Sequence, residues 1–126
     1  MNRLNIKDID KESFSVTITD TDVGVCLKFT GDIDIEDPRP LLYSLLDELY
    51  TGIIVKELKE LVYDFHELTY INSTSIGIFA KWILKLSSIE EDKRFLLRII
   101  TNKNITWQET SLPTLSYLIP GIVTIQ

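Results

Sequence analysis

Four small polar residues stand together near the middle of this chain, Asn72-Ser73-Thr74-Ser75. Three carry hydroxyls and one a carboxamide, so the group can donate and accept hydrogen bonds and take a phosphoryl group on oxygen. Ile76-Gly77 and then Ile78 to Leu86 follow, a helical pattern with Ile76, Phe79, Ile83 and Leu86 on one stripe. Small polar residues directly ahead of such a pattern are a helix start signal, and their oxygens can cap the first free N–H groups. The unpaired N–H groups and the dipole at that end favour an anion. A hydroxyl held there suits phosphate, covalent or bound. Capping and phosphate acceptance are compatible, because a cap residue is accessible to a kinase.

The elements on either side must position this cluster. Leu61-Val62-Tyr63-Asp64-Phe65 is a short apolar run of the kind a buried strand makes, and His66 to Ile71 reads as a mixed connector to the helix. Upstream, Ser13 to Thr19 alternates polar with apolar. Val25 to Thr30 alternates again, with Val25, Leu27 and Phe29 on one face. Turn chemistry at Asp22 and Gly24 joins the two as a hairpin. Asp37-Pro38 is a helix entry, Asp as cap and Pro at the first helical position. Leu41, Leu42, Leu45, Leu46 and Leu49 then recur at helical spacing, and Gly52 is the expected stop. Downstream lie a polar loop at Ser87 to Arg94, a strand at Phe95 to Ile100 and a turn at Asn102 to Asn104. Ile105 to Gln108 is ambiguous and can already belong to the last helix. That helix covers Ser111 to Leu118 and ends at Pro120-Gly121, and a last strand follows at Ile122 to Ile125. The expected fold is α/β: a single mixed β-sheet with helices packed on it, in the order β-β-α-β-α-β-α-β, with parallel pairing through crossovers in the later half. One domain, residues 1–126, accounts for all the apolar periodicity.

Composition narrows the function classes. At 44% hydrophobic and 25% charged the chain is ordinary for a globular domain. Its net charge is −6, from 19 acids and 13 bases, which argues against nucleic acid and anionic lipid as partners. It fits a protein that meets a basic protein surface. No apolar run approaches the ~18 residues that span a bilayer, and the first residues have no apolar signal core. With one cysteine, Cys26, no internal disulfide can form, and a cytoplasmic location is expected.

Other residues that could do chemistry are isolated. His66, with Asp64 and Ser73, invites a hydrolase triad. The chain has no Gly-x-Ser-x-Gly elbow and no evident oxyanion loop, so a solvated histidine is the reading. Asp32, Asp34, Glu36 and Asp37 lack the spacing and glycine of a calcium loop, and read as a cap and a solvated rim or part of a partner surface. No P-loop or dinucleotide glycine pattern occurs, and no cofactor or metal is expected. Cys26 lies between Val25 and Leu27, can face either way, and reads as an inert thiol. Ile78 and Trp82 lie off the helix stripe. They form either an exposed recognition face or a second buried side. Trp107 reads as a packing anchor for the last helix.

At this point the residues carry a family resemblance. Gly31-Asp32-Ile33-Asp34 after the second strand resembles the glycine-plus-acid step of STAS domains, the anti-sigma-factor antagonist family. Tyr70-Ile71-Asn72-Ser73-Thr74-Ser75-Ile76-Gly77 is similar to their signature, an apolar pair before Asp-Ser-Ser-Gly, an aliphatic residue and Gly. Asp64-Phe65 stands where the family has Asp-Leu. In this chain Asn72 replaces the acid, and Thr74-Ser75 replaces Ser-Gly.

The resemblance implies a non-enzymatic, phosphorylation-controlled switch in bacterial signalling. The acceptor would be the first hydroxyl after the Asn, Ser73, with Thr74 and Ser75 as rivals. The unphosphorylated form would bind a serine kinase or anti-sigma-type regulator, phosphorylation would release it, and a phosphatase would reset it. The expected partner surface comprises Gly31, Asp32, Asp34, Asn72, Ser73, Thr74, Ser75, Ile78 and Trp82. Alternatives are a constitutive scaffold, sensor or oligomer unit, a regulator of another signalling enzyme such as a nucleotide cyclase, and, from another class, a small enzyme or nucleotide binder.

Overall fold

The structure, a computed structural model, describes residues 2–119 and 121–126. Alternation in the first third of the chain builds the expected hairpin. β1 (Ile9–Asp10) pairs with β2 (Phe14–Asp20), and β2 with β3 (Gly24–Ile33), both antiparallel. Then come α1 (Arg39–Val55), β4 (Glu60–Ile71), α2 (Ser73–Lys85), β5 (Leu96–Ile100), α3 (Thr106–Ser116) and β6 (Val123–Ile125). The pairs β3–β4, β4–β5 and β5–β6 are parallel. Apart from the two-residue β1, which no sequence pattern announces, the order is the one expected.

The six strands stand in chain order across one sheet. Val16, Val25, Leu27, Phe29, Leu61, Tyr63, Leu97 and Ile99 are buried on one face, in a single core with the apolar sides of the helices. Their alternating neighbours Cys26, Lys28, Asp64 and Arg98 lie on the opposite face. The order never reverses direction, so the sheet lacks the crevice at a strand-order switch point where doubly wound α/β folds bind nucleotides.

Several boundaries differ from expectation. The connector His66 to Ile71 is strand: Leu68 and Ile71 are buried, and β4 continues to Ile71 against Ile33. Register shifts between Lys28 and Thr30 and between Gly31 and Asp32 break the simple alternation, which is why the segment reads as irregular. Gly52 does not stop α1. It lies inside the helix, where an added Cβ would stand 2.9 Å from Leu4 Cδ2, so the glycine makes room for the N-terminal arm. Pro38 is the N-cap rather than the first helical residue, and Asp37 sits one position earlier, accepting the Arg39 N–H at 3.2 Å. The loop after α2 holds two short 3₁₀ turns, Leu86–Ser88 and Glu91–Lys93. Most of the ambiguous Ile105 to Gln108 segment belongs to α3, with Ile105 as N-cap. Pro120, assigned above to the end of that helix, lies outside the described residues.

Candidate functional site

The first turn of α2 stands at the C-terminal end of β4, beside the exit of β3. Asn72 makes this junction. Its φ of −75° and ψ of 162° place it as N-cap, and its Oδ1 accepts the Ser75 N–H at 2.9 Å. The Asn72 N–H donates to the Ile33 carbonyl at 2.9 Å, and the Asn72 side-chain Nδ2 to the Ile35 carbonyl at 3.1 Å. An aspartate could cap in the same way, but a carboxylate has no donor for Ile35. The amide therefore ties the helix start to the segment just beyond β3 as well as capping it.

With capping done by Asn72, the hydroxyls behind it divide sharply. Ser73, the first residue of α2, and Thr74 are exposed. Ser75 is fully buried, and its Oγ has no hydrogen-bond partner among the described residues. Ser75 is thus removed as a rival acceptor, because a kinase cannot reach an oxygen inside the core. α2 carries no acidic residue in its first turn. Its positive end is therefore not neutralised by its own side chains.

Ile78 and Trp82 also leave the expected partner surface. They are 4% and 5% exposed. The Trp82 indole donates to the Leu46 carbonyl of α1 at 3.2 Å, and its ring lies 5.8 Å from that of Tyr63 and 6.5 Å from that of Phe95. α2 is apolar on most sides because the sheet covers one side and α1 another, which is the burial alternative of the sequence pattern.

The β3 exit supplies the rest of the neighbourhood. Gly31 has φ +94°, and a Cβ there would stand 2.4 Å from the Ser13 carbonyl oxygen, so this glycine serves the hairpin geometry. Asp32 and Asp34 are exposed. The Thr69 hydroxyl reaches the Asp32 carboxylate and, at 3.1 Å, the Gly31 carbonyl. Asp34 sits between the two residues whose carbonyls receive the Asn72 bonds. Tyr70, opposite Asp32 and 45% exposed, adds an aromatic surface just ahead of Asn72. Thr69 and Tyr70 both fell in the supposed connector, and Tyr70 counted there only as part of the motif; strand alternation around the bulge is the signal that places them at the surface.

The remaining candidates do not gather into a second site. Asp64 accepts the backbone N–H of His66 at 3.0 Å rather than engaging an imidazole. Five strand steps, roughly 17 Å, separate His66 from Ile71 at the end of β4, with the start of α2 beyond it. Asp37 forms an exposed ion pair with Arg39 at 2.8 Å, whose hydrogen bond holds the Asp37 pKa below its ordinary value. Among the described residues no three His, Cys, Asp or Glu groups gather as a metal set. Trp107 anchors α3 as expected, its indole donating to the Leu68 carbonyl at 2.9 Å. Buried Gln108 binds the same carbonyl at 3.1 Å and accepts the Asn102 N–H at 2.7 Å, pinning α3 to the β4 bulge. The apolar crevice between α2 and α3, lined by Phe65, Ile76, Phe79, Trp107 and Leu112, has about 10 Å³ of free space, no more than one water. Among the described residues no helix is long and apolar enough to cross a membrane.

No protein-family model matches this sequence, and no curated protein matches it. Solved structures do. An anti-sigma factor antagonist from Mycobacterium paratuberculosis superposes with a TM-score of 0.59 at 16% identity, over 89% of this chain and 87% of that one. A protein of the DUF3478 family with a SpoIIAA-like fold, from Shewanella loihica PV-4, superposes with a TM-score of 0.51 at 18% identity, over 93% of this chain and 88% of that one. The mixed sheet, its three crossover helices and these two superpositions agree that the chain has the SpoIIAA-like fold of STAS domains.

Proposed function

We propose that this protein is a non-enzymatic interaction module whose docking surface is the start of α2 with the β3 exit beside it, and that phosphorylation of Ser73 switches it off. The observation that supports this most is the division of labour at the helix start: Asn72 supplies the cap, and the Ser73 hydroxyl is exposed at the first helical position. The superposed anti-sigma factor antagonist is the precedent for an interaction role on this fold. The partner proposed is a serine kinase or anti-sigma-type regulator, with a phosphatase to reset the module.

Phosphate adds about −1.5 to −2 charge at neutral pH and three acceptor oxygens. At the N-terminus of α2 the dipole favours it by about 0.3–1 kcal/mol, so the domain stays folded while its surface changes. A partner fitted to a neutral hydroxyl then meets a dianion. An apolar or acidic partner surface loses several kcal/mol of docking, since unpaired buried charge and like-charge contacts are costly. Every ~1.4 kcal/mol is tenfold in affinity, so one phosphate can end the interaction.

The test is affinity capture from the native cell with wild type, Ser73→Ala and Ser73→Asp side by side, and mass spectrometry of the peptide holding residues 72–75. The expected result is phosphate on Ser73 and a partner held by wild type and Ser73→Ala but lost from Ser73→Asp. Equal capture by all three, with no phosphate under any growth condition, leaves a constitutive scaffold instead.

A further inference from the structure

We infer that the partner meets the outer face of α2 along its length and presents carboxylates to it. This rests on the docking role proposed above and names the chemistry of the other side. The face is made of residues three and four apart: Ser73, Gly77, Lys81 and Leu84, with Thr74 and Ala80 beside them. Ser73, Thr74, Lys81 and Leu84 are exposed, Leu84 at 47%.

Charge sets this face apart. The chain has 19 acids and 13 bases, yet from Ser73 to Ile89 the charged residues are Lys81 and Lys85 alone. Lys81 forms no ion pair among the described residues, whereas Lys85 lies 4.3 Å over the Tyr50 ring on the α1 side. With the positive end of the helix dipole, the outer face of α2 carries one unpaired lysine and no carboxylate, on an acidic protein. The complement to this face, as distinct from the Asp32 and Asp34 side of the docking surface, is acidic. The same complementarity gives the switch its direction: phosphate on Ser73 places negative charge on the face that Lys81 makes attractive to carboxylates.

Gly77 supplies an independent reason to place a partner there. A Cβ on Gly24, Gly31 or Gly52 would strike an atom at 1.7, 2.4 or 2.9 Å, and Gly121 has φ +88°. Gly77 has nothing within 4 Å and an ordinary helical φ. A mid-helix glycine is unfavourable, and the isolated fold offers no reason for this one. One turn beyond Ser73, it leaves the helix backbone open to close approach by a partner.

The experiment uses the full chain carrying Ser73→Ala, which cannot be phosphorylated there, and the partner captured and identified on it. Lys81 is exposed, so substitutions there leave the fold intact, as a melting curve checks. Lys81→Glu is expected to weaken binding of the purified partner by about tenfold or more at low salt, with the gap narrowing as salt is raised. Lys81→Arg is expected to stay within about twofold of Lys. A photo-crosslinker at position 81 is expected to mark a partner peptide containing Asp or Glu, and one at Glu48 on α1 to mark none. Indifference to Lys81→Glu, or a basic peptide at the crosslink, overturns the inference. Loss with Lys81→Glu but full binding of Ser73→Asp keeps the face and discards the phosphorylation switch. Capture of no partner by any variant discards the docking function and this inference with it.

Discussion

The two helical glycines make a matched experiment. Gly52 lies in α1 and Gly77 in α2, each away from the helix ends. Replacing either with alanine removes the same conformational penalty, about 1 kcal/mol. At Gly77 no atom lies within 4 Å of the new methyl, so the full gain is expected. For a domain of 126 residues that raises Tm by roughly 4 °C. At Gly52 the new methyl would stand 2.9 Å from Leu4 Cδ2 and 3.3 Å from Leu4 Cδ1. Leu4 must then move the end of its partly buried side chain, which offsets part of the gain. Thermal and urea denaturation of wild type, Gly52→Ala and Gly77→Ala measure both effects. If Gly77→Ala brings no stabilisation, or Gly52→Ala brings as much, the reasoning from local space is wrong. Partner affinity adds a second readout. Gly77→Ala should bind the partner less well despite being the more stable protein, a combination that a purely structural glycine would not produce.

Two further perturbations test the interior. Ser75→Ala removes a buried hydroxyl that has no partner among the described residues, and it should raise stability by roughly 1 kcal/mol in urea titrations while leaving phosphate on Ser73 unaffected. Alkaline pH should destabilise the fold. Burial, and then the Asp64 carboxylate, raise the Cys26 thiol above its ordinary 9.0, and burial raises the Tyr63 phenol well above its ordinary 10.0. Above those ordinary values the unfolded chain loses protons that the folded chain retains, so stability is fully present below about pH 9 and falls as pH climbs through the folded values. Tyr63→Phe should flatten the upper part of that decline in urea titrations at pH 8 to 11, and an unchanged profile would contradict this assignment.

Residue pattern alone was enough for the α/β class, the order of the main elements, the inner faces of β2 and β3, and the capped start of α2. Each of these is local: a period of two or 3.6 and a cap residue beside it. Those same local signals could not separate Ser73 from Ser75. Two positions along a helix turn a side chain by about 200°, and which side meets solvent depends on what packs there. Nor could they place Ile78 and Trp82, since only the arrival of α1, through the Leu46 carbonyl, covers that side of α2. The long β4 was hidden for a related reason. Its bulges against β3 disrupt the alternation, and the pairing that keeps it a strand comes from Thr30 to Ile33, almost forty residues earlier. The chemistry of the hydroxyl cluster is written in the chain, but its exposure is decided by tertiary packing, because burial belongs to the neighbours of a residue and not to the residue itself.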